Sequence, residues 1–237
     1  MRFQDAARDA RAVVYAGIQA DPLVASCADL LGEATQAQRV LARAAMNGES
    51  VDGDGWRIAF PGLFGSTAAP PESAERERSE AILAAALAVA ERGEQARSQV
   101  RGAIVEALTE RLLARRVGAA AIHRERRILF DAVAAEIHPY DVTVERPGAA
   151  EAYDCKWGAR GIGADVLNQL DDARRHAADE SERLLVALVI FDARRSCEVR
   201  LARQTASRDG LRLVSLEALD RLAGTRVVAT SPAGIPA

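Results

Sequence analysis

The run LLVALVIF, residues 184–191, is apolar at every position and no longer than a strand. A strand that does not alternate has both faces covered, so it belongs inside a sheet with helices packed on either side. The flanking pattern agrees. Ile122 to Leu129 (IHRERRIL) alternates as a strand does. Asp141–Val144 and Ala152–Lys156 read as two strands joined around the turn Arg146-Pro147-Gly148. A helix follows over about residues 163–178. After the apolar run come short strands near Glu198–Leu201 and Leu211–Val214, then a helix from Leu216 to Leu222 closed by Gly224. This order predicts an α/β fold with a mixed sheet flanked by helices.

The first 70 residues predict something different: a helical module. FQDAARDARAVVYAGIQA, then PLVASCADLLGEATQAQRVLARAAMNG after Asp21-Pro22, carry leucines and valines at about helical spacing. The Gly- and Pro-rich stretch that follows, with a short strand expected at Trp56–Phe60, marks a boundary, so residues 1–70 and 71–237 read as two units. From Pro71 to Val117 the pattern is helical, with bends or breaks expected at Gly93 and Gly102. Aromatics are only 4% of the 237 residues, so the core is expected to be built from Ala, Leu and Val. No apolar run approaches the roughly 18 residues of a membrane helix, and charges fill the place of a signal peptide's apolar stretch. Three cysteines (Cys27, Cys155, Cys197) are odd in number and unpatterned, offering neither a disulfide framework nor a zinc knuckle. His123, His138 and His176 have no metal-ligand spacing. These features predict a cytoplasmic protein. A net charge of −3 excludes a strongly basic nucleic-acid coat protein but leaves room for a local basic patch.

Of 31 basic residues, 30 are Arg, and the one Lys is Lys156. It lies in HPYDVTVERPGAAEAYDCKWG, residues 138–158. With Pro147-Gly148 at the centre of a hairpin, paired residues have numbers summing to 295, which sets Asp141 opposite Asp154. Opposite residues share a face, and Lys156, two places on, points the same way. Two such carboxylates repel unless a proton or cation lies between them. A hard divalent ion, Mg²⁺, suits oxygen ligands with open water positions, and an ammonium beside it suits positioning water or stabilising phosphate charge. The plain alternative is a surface hairpin with an ordinary cross-strand charge cluster. Against it, Val142, Val144 and Tyr153 give the hairpin a buried side. Glu106 also falls in line with Leu113 and Val117 on the preceding helix, either buried with a partner or paired with an Arg at the helix edge. Gln169 sits between Val166 and Ala173 on the following helix.

In this order, Glu106, Asp141, Asp154-Cys155-Lys156 and Gln169 resemble the PD-(D/E)XK nuclease superfamily, the restriction-endonuclease-like fold, over about residues 98–224. Tyr140 stands where the motif has Pro, with Pro139 one place early. The resemblance implies Mg²⁺ (or Mn²⁺ as substitute) bound by Asp141, Asp154 and the Cys155 backbone carbonyl. It implies that Lys156 positions the attacking water, Glu106 completes or supports the metal site, and Gln169 orients the site or contacts the nucleic-acid backbone. The reaction implied is phosphodiester hydrolysis, leaving a 5′-phosphate and a 3′-hydroxyl, in DNA rather than RNA. Pairing of two copies to cut both strands makes a homodimer the implied assembly.

Residues 111–127 carry six arginines against Glu125, and Arg115, Arg116, Arg124, Arg126 and Arg127 are candidates for holding a phosphate backbone; a solvated face is the alternative. Trp157 either packs or stacks on a base. GARGIG, residues 158–163, lacks the Lys-Ser/Thr ending of a phosphate loop and reads as a strand-to-helix loop. Two other readings remain open: a nucleic-acid-binding module with weak or no catalysis, and a helical interaction protein with an incidental hairpin.

Overall fold

A computed structural model describes residues 1–6, 10–48, 50–65, 71–131, 139–205 and 209–224. Six strands, β1 (Arg2–Asp5), β2 (Ile122–Leu129), β3 (Tyr140–Arg146), β4 (Ala149–Lys156), β5 (Leu184–Ile190) and β6 (Arg212–Val214), lie side by side in that order. Pairs up to β3–β4 are antiparallel; β4–β5 and β5–β6 are parallel. The helices are α1 (Ala10–Gln19), α2 (Pro22–Gly32), α3 (Gln36–Asn47), α4 (Gly53–Ala59), α5 (Pro61–Phe64), α6 (Ser73–Ala90), α7 (Glu94–Val117), α8 (Ala164–Asp179) and α9 (Arg194–Ala202). Parallel neighbours need a crossover, supplied by α8 and α9. The fold is α/β with a mixed sheet. Among the described residues, no helix is long and apolar enough to cross a membrane.

Helix α7 organises the molecule. Residues 103–109 are buried without interruption, so α7 is covered on all sides, as a central helix must be. One side packs on Val142, Val144, Tyr153 and Val189 of the sheet; the other meets Val24, Leu31, Leu41 and Met46 of α2 and α3 in the same continuous core. That core therefore crosses the boundary read near residue 70, and Arg39, 2% exposed, ties α3 to Asp220 at 2.7 Å. A second core fills the opposite face of the sheet, under α8, from Tyr140, Leu167, Leu170, Leu188 and Ile190.

Four local expectations are corrected. Phe3–Asp5 are strand rather than helix, because they pair with Arg126–Ile128 of β2 and long-range pairing overrides local pattern. The strand expected at Trp56–Phe60 is α4, started by Asp52 accepting the Asp54 N–H. Glu198–Leu201 lie in α9, where Cys197 and Leu201, four apart, face the core. Gly102 sits inside an unbroken α7, whereas Gly93 does mark the break before it. His138 lies outside the described residues.

Asp21 caps α2 through the Leu23 N–H at 2.9 Å and pairs with Arg92 at 2.6 Å, and these bonds hold its carboxyl below the usual range. Such a carboxylate stabilises the fold above its unfolded pKa of about 3.9, and the contribution fades as pH falls through the lower folded value. Asp21→Ala is expected to cost about 1 kcal/mol at pH 7 and less at pH 3. Urea denaturation at both pH values checks this; a deficit that grows on acidification contradicts the assignment.

Candidate active site

The pairing of β3 with β4 keeps the expected register, from Arg146↔Ala149 at the Pro147-Gly148 turn to Val142↔Tyr153. Gly148 takes φ 73, which the turn demands and glycine permits. Beyond Tyr153 the two strands part. The Cys155 N–H, freed from the ladder, donates to Asp141 Oδ2 at 2.6 Å. Asp141 thus closes the fork with its side chain, on the strand end where Asp154 and Lys156 emerge.

Lys156 Nζ lies 2.6 Å from Asp154 Oδ1 and 3.8 Å from Asp141 Oδ2, so both carboxylates share the ammonium of the chain's one lysine. Burial pushes the Asp141 carboxyl well above the usual range; Lys156 opposes that, and the charges of Asp154 and Glu106 add to it. Burial pulls Lys156 down, but Asp141 and Asp154 outweigh it and keep the ammonium protonated. Gly161 follows in the loop after β4. A Cβ there would meet the Cβ and Cγ of Lys156 at 2.9 Å, so the glycine leaves room for the lysine stem.

Glu106 reaches the site from α7 and is 4% exposed. It does not pair with an Arg at the helix edge. The Tyr15 hydroxyl donates to its Oε1 at 2.5 Å and the Gln19 amide to its Oε2 at 2.8 Å. Burial raises Glu106, and those two bonds work against the rise. Gln19 also approaches Glu125 Oε1 at 3.4 Å. Glu125 lies between the pairs Arg124↔Val142 and Arg126↔Tyr140, level with Asp141, and has φ 52. A left-handed residue within a strand turns it over. Ile122, before Glu125, packs in the α7-side core, while Ile128, at an equivalent alternation, packs in the α8-side core. Backbone strain of this kind concentrates at functional sites. Glu125, Tyr15 and Gln19 were not candidates from sequence; only the alternation of β2 and its alignment with Asp141 could have pointed to Glu125.

Tyr15, Glu106, Glu125, Asp141, Asp154 and Lys156 line a cleft of about 1620 Å³. Gln169 lines it, with its backbone carbonyl accepting the Tyr140 hydroxyl at 3.5 Å. The Cys155 thiol turns away into the core, 3.5 Å from the Thr109 hydroxyl, so only its backbone borders the site. Trp157 packs: its ring stacks on Phe191 at 4.9 Å and its N–H donates to Asn47 Oδ1 at 2.7 Å.

The structure sets the arginine patch apart from the cleft. None of Arg115, Arg116, Arg124, Arg126 and Arg127 is among the residues lining the cleft. Arg115 pairs with Glu33, Arg116 with Glu151, Arg124 with Glu110, and Arg126 with Glu145 and Asp5; Arg127 lies in β2 opposite Gln4. The excess charge of residues 111–127 is met by acids elsewhere in the chain, and Arg115 and Arg116 also complement the C-terminal end of α7. The cleft is lined instead by Arg43, Arg97, Arg101 and the exposed Arg160. Arg43 pairs at 2.6 Å with Asp192, whose other oxygen accepts the Ala159 N–H at 3.0 Å and pins the loop carrying Gly161.

Among the described residues, no three His, Cys, Asp or Glu side chains form a ready metal cage. Mg²⁺ does not need one: it keeps several waters and is commonly held by one or two carboxylates. Asp141 and Asp154 supply hard oxygens around a position that already holds a cation, the Lys156 ammonium. The donor set fits Mg²⁺ or Mn²⁺ and, with its one thiol turned away, does not fit a thiolate metal.

No family model matches the chain, and no curated protein matches it. Among solved structures it is similar to protein VC1899 from Vibrio cholerae, at 16% identity and a TM-score of 0.48, over 94% of this chain and 57% of that one. The chain thus spans little more than half the length of that protein.

Proposed function

We propose that the cleft is the active site of a Mg²⁺-dependent nuclease of the PD-(D/E)XK kind, hydrolysing phosphodiester bonds in DNA. One observation carries this reading: Asp141 and Asp154, from adjacent strands, converge on the single lysine of an arginine-rich chain. The cleft size supports it, since small-molecule pockets run to roughly 300–1,000 Å³ and this one is about 1620 Å³. DNA as the polymer is taken from the resemblance.

Asp141 and Asp154 would hold the metal, which when bound would supply stabilisation of phosphate charge and a more acidic water. Lys156 orients the incoming water and offsets charge developing on the phosphate. Glu106 supports the metal side from α7, and Gln169 faces the substrate from α8. Incubating plasmid and single-stranded DNA with the protein is expected to give cleavage in Mg²⁺ or Mn²⁺ and none in EDTA. Intact DNA in every lane, with binding that weakens as salt rises, replaces the nuclease with a binding module. One observation favours that second reading: the Lys156 ammonium already fills the gap between the aspartates.

Gly161 makes a sharper test of the lysine. Gly161→Ala forces the Lys156 stem aside, and a displacement of about 1 Å at a reacting group costs up to about 10²-fold in rate. The variant is expected to bind Mn²⁺ normally and to cut at least tenfold more slowly, by about 1.4 kcal/mol in barrier. Cleavage at the wild-type rate removes the lysine from its assigned role.

A further inference from the structure

We propose that Tyr15 and Gln19 are positioning residues for Glu106, so that the N-terminal helix α1 completes the metal side of the catalytic cleft. The inference rests on the nuclease reading and adds to it a contribution from outside the resemblance, which begins near residue 98. Glu106 is nearly fully buried on α7, where a carboxylate needs partners. Both of its oxygens find them on α1: the Tyr15 hydroxyl at 2.5 Å and the Gln19 amide at 2.8 Å. Tyr15 and Gln19, four apart, lie on one face of α1 and grip the two ends of the carboxylate, which fixes its plane.

A second observation shows that α7 is shaped for this contact. A Cβ on Gly102, one turn before Glu106, would stand 3.2 Å from the Tyr15 hydroxyl. The glycine that does not break α7 is therefore the slot through which Tyr15 reaches Glu106. Gln19 extends the same grip to Glu125 at 3.4 Å, the residue level with Asp141. Partners of this kind orient a metal site's carboxylates, and their removal typically lowers metal affinity about 10- to 100-fold.

The test is Mn²⁺ binding to the full chain, followed by electron paramagnetic resonance, with Mg²⁺ dependence of cleavage and thermal melting measured in parallel. Tyr15→Phe and Gln19→Ala are each expected to weaken Mn²⁺ about 10-fold. Both raise the Mg²⁺ needed for half-maximal cleavage by the same factor. In a Glu106→Gln background the Tyr15→Phe loss disappears, because the two side chains act through one contact. A merely structural role shifts melting temperature and leaves metal affinity in place. The proposal is overturned if both α1 variants bind Mn²⁺ as the wild type does, or if Tyr15→Phe costs as much with Glu106→Gln as without it. In either case the nuclease reading survives. A wild type that neither binds Mn²⁺ nor cuts DNA removes both.

Discussion

Lys156→Ala is expected to lower Mg²⁺-dependent cleavage by about 10²–10³-fold, in a protein that still melts cooperatively. The ammonium stands 2.6 Å from Asp154 and 3.8 Å from Asp141, and no other residue among those lining the cleft offers an ammonium. An arginine there does not restore the rate, because a planar fork is no substitute for a compact point charge. Asp154→Asn should remove cleavage to a similar extent for a different reason, and metal binding separates the two. On the proposed reading the lysine competes for the oxygens that would hold the metal, so Lys156→Ala is expected to keep or tighten Mn²⁺ affinity and Asp154→Asn to lose it. Removing the lysine also leaves two close carboxylates without their shared cation. Breaking a fully buried pair costs about 3–5 kcal/mol; with the lysine side chain 31% exposed, a cost on the order of 1–3 kcal/mol is expected. If both variants cut plasmid like the wild type, these residues are not the catalytic set.

Deleting residues 1–70 is expected to unfold the remainder rather than release an independent nuclease. The deletion strips Val24, Leu31, Leu41, Met46, Leu63 and Phe64 from the core they share with α7 and the sheet. Losing each such contact costs about 1.5–3 kcal/mol, and together these losses are as large as the roughly 5–15 kcal/mol of a typical domain. It also removes β1 from the sheet and Tyr15 from Glu106. Circular dichroism during heating should show no cooperative transition for residues 71–237. A soluble fragment that melts sharply and cuts DNA contradicts the shared core.

What could be read from sequence was local. The β3–β4 ribbon was legible because Pro147-Gly148 fixes a two-residue turn, and once the turn is placed the register follows. LLVALVIF announced a covered strand, and β5 lies between β4 and β6 with all positions from Val186 to Ile190 buried. Lys156 stood out because its chemistry departs from the chain's own arginine habit. What escaped notice depends on contacts between distant segments. Phe3–Asp5 look helical until β2 is beside them. Glu125 counted as one acid among arginines because nothing local shows its φ of 52 or its alignment with Asp141. The arginines of residues 111–127 formed a patch only while their partners, from Asp5 to Glu151, were out of view.

The place of β1 has a consequence for how the chain acquires its structure. Arg2 pairs with Leu129, so β1 is separated from its sheet neighbour by more than half of the 237 residues. The other neighbouring strands, from β2–β3 to β5–β6, lie much closer together along the chain, which favours their earlier assembly. Until β1 docks, β2 presents an open edge, the kind of surface through which newly made chains adhere to one another. That edge is closed by the pairing of greatest sequence separation in the sheet, which also draws α1, the helix after β1, towards its seat on α7.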